Sequence, residues 1–131
     1  MKEDIIEQEA VVESATTKWS DNRVECQNTL RAIRDALDVL NGVWKLPILV
    51  TLNDGPKRFK QIAHDINGIT DKMLSKELKE LEMNQLVTRT VHETFPPTVE
   101  YARTEYSYTL KDVINSLKDW GLLHRKKILG K

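Results

Sequence analysis

The chain has 131 residues, 40% hydrophobic and 31% charged, with a formal net charge of zero and one cysteine; that size and apolar content fit one domain with one core. No apolar run approaches the ~20 residues that cross a bilayer, and the acidic start "MKEDIIEQEA" lacks the apolar centre of a secretory signal. A single thiol closes no internal disulfide, so a soluble protein of the reducing cytoplasm is expected.

Residues 1–22 read as an N-terminal acidic helical arm, with a helix over 3–18 carrying Ile5, Ile6, Val11, Val12 and Ala15. Residues 1–25 hold three Lys/Arg against seven Asp/Glu, whereas 26–131 hold seventeen against thirteen, so the body is mildly basic. Ser20, Asp21 and Asn22 offer N-caps for a second helix. In that helix Leu30, Ile33, Leu37 and Leu40 form an apolar stripe, and Asn41-Gly42 ends it. Cys26 lies near the centre of the stripe; it reads as a buried small hydrophobe or, with Arg23 one turn away, as a sensor thiol.

The segment "VWKLPILVTLNDG" (43–55) reads as a short helix that accepts Pro47 only within its first turn. Asn53-Asp54-Gly55-Pro56 is a turn, "KRF" (57–59) a brief extended piece, and "FKQIAHDI" (59–66) a helix ended by Asn67-Gly68. A further helix spans 70–83 with Thr70 as its N-cap. Residues 85–92 and 99–104 read as strands, and the two prolines of "ETFPPT" (93–98) forbid helix between them and favour a hairpin tip. From about Tyr106 the helical pattern returns in Leu110, Val113, Ile114, Leu117 and Trp120. The chain closes on "HRKKILGK" (124–131), whose cations suit the last turn of a helix. The fold expected is mainly α with a small β-hairpin. Two close helices joined to a hairpin describe a winged helix-turn-helix, here extended by helices at both ends, so that 23–131 forms the domain.

The helix over 70–83 carries two sorted stripes. At 100° per residue Leu74, Leu78 and Leu81 fall within roughly 60°, and Lys72, Lys76 and Lys79 fall within roughly 60° on the opposite side. Asp71, Glu77, Glu80 and Glu82 flank the lysines without interrupting them. A generic solvated helix mixes signs to gain i,i+4 pairs; here one sign is collected furthest from the core. A major groove admits one helix between two rows of phosphates, where such lysines would release counterions. Thr70 and Ser75 are short polar groups able to meet bases or phosphates. The competing reading is an ordinary exposed lysine face.

Other chemistry has little support. His64, His92 and His124 share no ligand spacing with each other or with Cys26, so no metal is expected. No phosphate-binding glycine loop and no nucleophile–base pair stands out, and neither a cofactor nor an enzymatic activity is expected.

The motifs "NGVWKLPIL" (41–49), "GPKRFKQI" (55–62), "GITDKMLSKELKELE" (68–82), "LVTRTV" (86–91), "PPTVEY" (96–101) and Trp120 resemble, in order and spacing, those of the HxlR-type winged-helix transcriptional regulators. The resemblance implies a cytoplasmic homodimer that binds double-stranded DNA at a near-palindromic operator and regulates transcription, with 70–83 as the recognition helix, 85–104 as the wing, and the first helices together with a C-terminal dimerisation helix building the two-fold interface. By position it implies DNA contacts from Arg58, Thr70, Asp71, Lys72, Ser75, Lys76, Lys79 and Arg89. The chain departs from the pattern at four places. Thr98 stands where a base often follows the paired prolines, leaving His92 as the cation of the wing tip. Val43 replaces a lysine. Gln85 replaces a glycine, with Asn84 expected to take the left-handed turn. Arg31 occupies the place of a cysteine common in the family, which leaves Cys26 as the possible redox thiol. The alternative, from another class, is a winged helix whose lysine face docks an acidic protein partner.

Overall fold

In chain order, the computed structural model, which describes residues 23–131, first forms helix α1, Arg23–Val39. The expected helix over 3–18 and the caps at 20–22 lie outside the described residues, so the boundary drawn at 22 sits at their edge. The chain divides into two units between Val39 and Leu40. Within α1 Thr29 Oγ1 donates to the Glu25 carbonyl at 2.8 Å. Its apolar residues Val24, Leu30, Ile33 and Leu37 are all exposed.

The second unit starts at Leu40, and Gly42 soon after it is left-handed (φ 81°), a conformation common just past a helix end. Helix α2 follows over Lys45–Thr51, with Pro47 in its first turn as the sequence demanded, and runs into a 3-10 turn at Leu52–Asp54. Strand β1 is Lys57–Arg58 and helix α3 is Phe59–Asp65. The Gln61 Oε1 accepts from the Arg58 backbone N–H at 2.9 Å, satisfying an amide the helix start leaves without an intrahelical partner. Helix α4 spans Asp71–Met83, strands β2 and β3 span Val87–His92 and Thr98–Arg103, a 3-10 turn covers Tyr106–Leu110, and helix α5 runs Lys111–Leu129.

The sheet has three strands in the order β1-β3-β2, all antiparallel, in place of the two-stranded hairpin read from the sequence. The "KRF" piece supplies the third strand: Lys57 pairs with Tyr101 and Arg58 with Glu100. A strand of two residues shows no alternation by which a sequence could announce it.

The core of this unit is a set of aliphatic side chains from α2, α3, α4 and the start of β2. Ile48, Leu49, Leu52, Ile62, Leu74, Leu78, Leu81, Leu86 and Val87 are each 2% exposed or less. Each such side chain contributes about 1.5–3 kcal/mol by leaving water. All three α4 leucines expected to face the core do so.

The joint between α4 and the wing corrects one expectation. Gln85, and not Asn84, takes the left-handed conformation (φ 61°). Leu86 N–H donates to the Leu81 carbonyl at 2.9 Å and Gln85 N–H to the Glu82 carbonyl at 3.0 Å. Those two bonds form a Schellman motif with Gln85 at the position that favours glycine and Asn84 as the C-cap. The buried pair Leu81 and Leu86 supplies its apolar contact. At the other end of β3, Arg103 Nε donates to Ser107 Oγ at 3.0 Å and Nη2 to the Ser107 carbonyl at 2.8 Å. Its guanidinium also lies 4.4 Å from the Tyr108 ring centre and bonds Asn53 Oδ1, tying the wing base to the turn after α2.

Candidate nucleic-acid interface

Thr70 is extended (φ −81°, ψ 155°), and its Oγ1 accepts from the Met73 N–H at 3.1 Å, which starts α4 where the sequence placed its cap. Asp71 then occupies the first turn, where a carboxylate suits the positive end of the helix dipole. Beyond it Lys72, Ser75, Lys76 and Lys79 are all exposed, and Leu74, Leu78 and Leu81 on the other side are buried. The structure therefore brings Thr70, Asp71, Lys72, Ser75, Lys76 and Lys79 onto one helix with its cations turned to solvent.

Arg58 and Arg89 are exposed and lie in the adjoining sheet. The register sets Arg58 opposite Glu100 and Arg89 opposite Tyr101, which are neighbouring residues of β3. Successive strand residues alternate faces, so the two arginines stand on opposite faces of the sheet. They cannot form one cationic patch with each other. At the wing tip His92 Nε2 lies 3.0 Å from Glu100 Oε1. Phe95 at the tip is fully exposed.

Sequence reasoning missed the polar centre beneath the lysine face. Lys45, at the start of α2, is 1% exposed. Its Nζ lies 2.6 Å from Glu77 Oε2 and 2.5 Å from Glu80 Oε2, both on α4, and donates to Asn41 Oδ1 at 2.9 Å. Glu77 is 4% exposed and therefore belongs to the core side of α4, where the wheel had set it only as a flanking acid. A lysine in a helical segment normally reads as a surface residue, since buried lysines are rare unless paired. The available signal was Trp44-Lys45-Leu46, a lone cation inside an apolar run, facing a helix with acids at i and i+3.

Burial would lower the Lys45 pKa, but hydrogen bonds and charge from Glu77 and Glu80 outweigh it and hold it above the ordinary lysine value. The hydrogen bond from Lys45 lowers the Glu80 pKa below its ordinary 4.5. In the same way Lys57, 2.6 Å from Asp65 Oδ2, lowers that carboxyl below its ordinary 3.8. A carboxyl whose folded pKa is depressed binds fewer protons folded than unfolded near that pH, so its stabilisation is present above the ordinary value and is lost as pH falls through the folded one. The raised lysines stabilise below their ordinary 10.5, and that part is lost as pH rises through their folded pKa. Urea unfolding midpoints are expected to be level from about pH 5 to 10 as far as these groups decide and to fall on the acid side. A midpoint that climbs on acidification would contradict these assignments.

Cys26 is exposed on α1, which corrects the expectation of a buried hydrophobe. The helix it sits on, Arg23–Val39, has no buried residue. Among the described residues there is no cluster of side chains able to hold a metal, and no helix is long and apolar enough to cross a membrane.

Two closely spaced helices, the second with an outward cationic face, followed by an antiparallel wing, define a winged helix-turn-helix. Residues 39–128 match the HxlR-like helix-turn-helix family. The chain belongs to that family, whose members are transcriptional regulators. It is 40% identical over 96 residues, 73% of this chain and 75% of the relative, to the uncharacterized HTH-type transcriptional regulator YdeP of Bacillus subtilis. It is 40% identical over 88 residues, 67% of this chain and 79% of the relative, to the HTH-type transcriptional regulator YodB of the same organism. Among solved structures it superposes on the redox regulator HypR in its reduced form with a TM-score of 0.70 and 35% identity, covering 76% of this chain and 99% of that one.

Proposed function

We propose that the chain binds double-stranded DNA sequence-specifically as a homodimer on a near-palindromic operator. In this reading α4 enters the major groove and the segment 85–104 lies alongside it as the wing. The observation that carries the proposal is the exposure of Lys72, Lys76 and Lys79 on the side of α4 opposite three buried leucines. Their ammonium groups neutralise phosphates, while Thr70, Asp71 and Ser75 at the helix start face bases or backbone. Arg58 and Arg89 extend the contact from the two sheet faces, and a wing tip whose His92 is paired to Glu100 adds little charge of its own. Cys26 is the candidate redox thiol of this reading, supported by its exposure.

The test is a titration of duplex with the Lys76→Ala variant at several salt concentrations. Two phosphate contacts are lost per dimer, so the salt slope is expected to fall by about 1.8 and affinity at 0.15 M salt by about 30-fold. The melting temperature should stay put, since Lys76 is exposed. Wild-type affinity in that variant would remove α4 as the reader and favour the other reading, a lysine face that docks an acidic protein.

The dimer rests on apolar surface that the single chain leaves open. On α5 Val113, Leu117 and Trp120 recur at helical spacing and are exposed, and α1 exposes Leu30, Ile33 and Leu37. Apolar patches of that kind mark association surfaces. Leu117→Glu is expected to shift the protein from dimer to monomer in sedimentation velocity without unfolding it. A dimer of unchanged stability would move the interface elsewhere.

A further inference from the structure

Accepting that α4 is the DNA reader, we infer that Lys45 is a positioning residue: its ion triad with Glu77 and Glu80 sets the rotation of α4 and so the base selectivity of its outward lysine face. The ammonium group has three protons, and three short partners surround it: Glu80 Oε2 at 2.5 Å, Glu77 Oε2 at 2.6 Å and Asn41 Oδ1 at 2.9 Å. The bonds to Glu80 and Asn41 are directional, the close ion pair with Glu77 adds buried charge attraction, and the contacts of Leu74, Leu78 and Leu81 have no direction. An apolar stripe holds a helix down; a hydrogen-bonded charge fixes which way it faces.

The coupling to the reading face is geometric. Lys76 and Lys79 each precede a triad glutamate, Glu77 and Glu80, by one residue, so they are displaced from it by ~100° around the same rigid helix. A rotation of about 10° moves a group ~6 Å off the helix axis by about 1 Å, enough to spoil a bidentate base contact. Burial of an ion pair is poor evidence that it is there for stability. Replacing such a pair by apolar residues of similar volume is often neutral or stabilising. What the triad adds over a Met–Leu contact is therefore orientation.

The experiment compares wild type, Lys45→Met/Glu77→Leu and Glu80→Gln. A selection from random duplexes with wild-type protein defines the preferred duplex. The readout is the ratio of its Kd to that of a scrambled duplex of equal length and composition, at one salt concentration and at a temperature where circular dichroism shows each protein folded. The double variant removes one charge of each sign, so net charge is unchanged. It is expected to melt within a few degrees of wild type, hold the scrambled duplex within about twofold of wild type, and lose about tenfold in the ratio, ~1.4 kcal/mol. Glu80→Gln is half-exposed and keeps its fold; it should lose about threefold in the ratio, a quantity from which its effect on overall attraction cancels. A merely structural triad would move melting temperature and leave the ratio alone. A wild-type ratio in the folded double variant overturns the inference, and so does a wild-type ratio in Glu80→Gln if the double variant does not fold. A wild-type protein with no preferred duplex overturns the DNA reading itself and this inference with it.

Discussion

Alanine at Lys72, Lys76 and Lys79 together is expected to lower duplex affinity by about four orders of magnitude at 0.15 M salt. In the proposed two-fold dimer the variant would lose six phosphate contacts, each carrying a salt slope of about 0.9. The slope itself should fall by about 5, which fluorescence anisotropy at four or five salt concentrations resolves. Because all three side chains are exposed, the variant should fold as wild type does. Loss of affinity with the slope intact would mean that the lysines act through the helix and not through phosphates. An unchanged affinity would return α4 to the status of an ordinary solvated helix.

The second large effect is on stability. Lys45→Met removes the partner of a glutamate that is 4% exposed, and breaking a buried pair from one side costs about 3–5 kcal/mol. For a unit of this size that is a fall in melting temperature of about 15–30 °C. Differential scanning calorimetry of the single and of Lys45→Met/Glu77→Leu should show most of the loss recovered in the double variant. A single variant within a few degrees of wild type would mean that water reaches Glu77 and that the site is less dry than its exposure indicates.

What the sequence revealed and what it concealed follow from range. The cap at Thr70, the leucine and lysine stripes of α4, the early place of Pro47 and the proline-bounded turn of the wing are decided within a few residues, and each is found where it was expected. The Lys45 triad joins residues 32 and 35 apart, so the lone cation in Trp44-Lys45-Leu46 gives no local sign of which acids it meets. The third strand is two residues long and is made a strand only by its partner β3. At Gln85 hydrogen bonding, and not residue type, decides which residue is left-handed. The bonds to Leu81 and Glu82 force the left-handed turn wherever the helix stops, and the residue there accepts it at a cost of about 1–2 kcal/mol. Of the candidate contacts, the three lysines of α4 are exposed on one side as read, while the register separates Arg58 from Arg89, a relation invisible until strands are paired.

The triad also bears on how the protein meets its target. Residues 1–25 carry an excess of four acids and 26–131 an excess of four bases. On α4 Glu77 is withdrawn from solvent and Glu80 is bound to an inward cation. The molecule as a whole carries no formal net charge. Its field dies quickly with distance, so capture from afar proceeds near the rate of an uncharged body, and ions in the medium govern chiefly how long it stays.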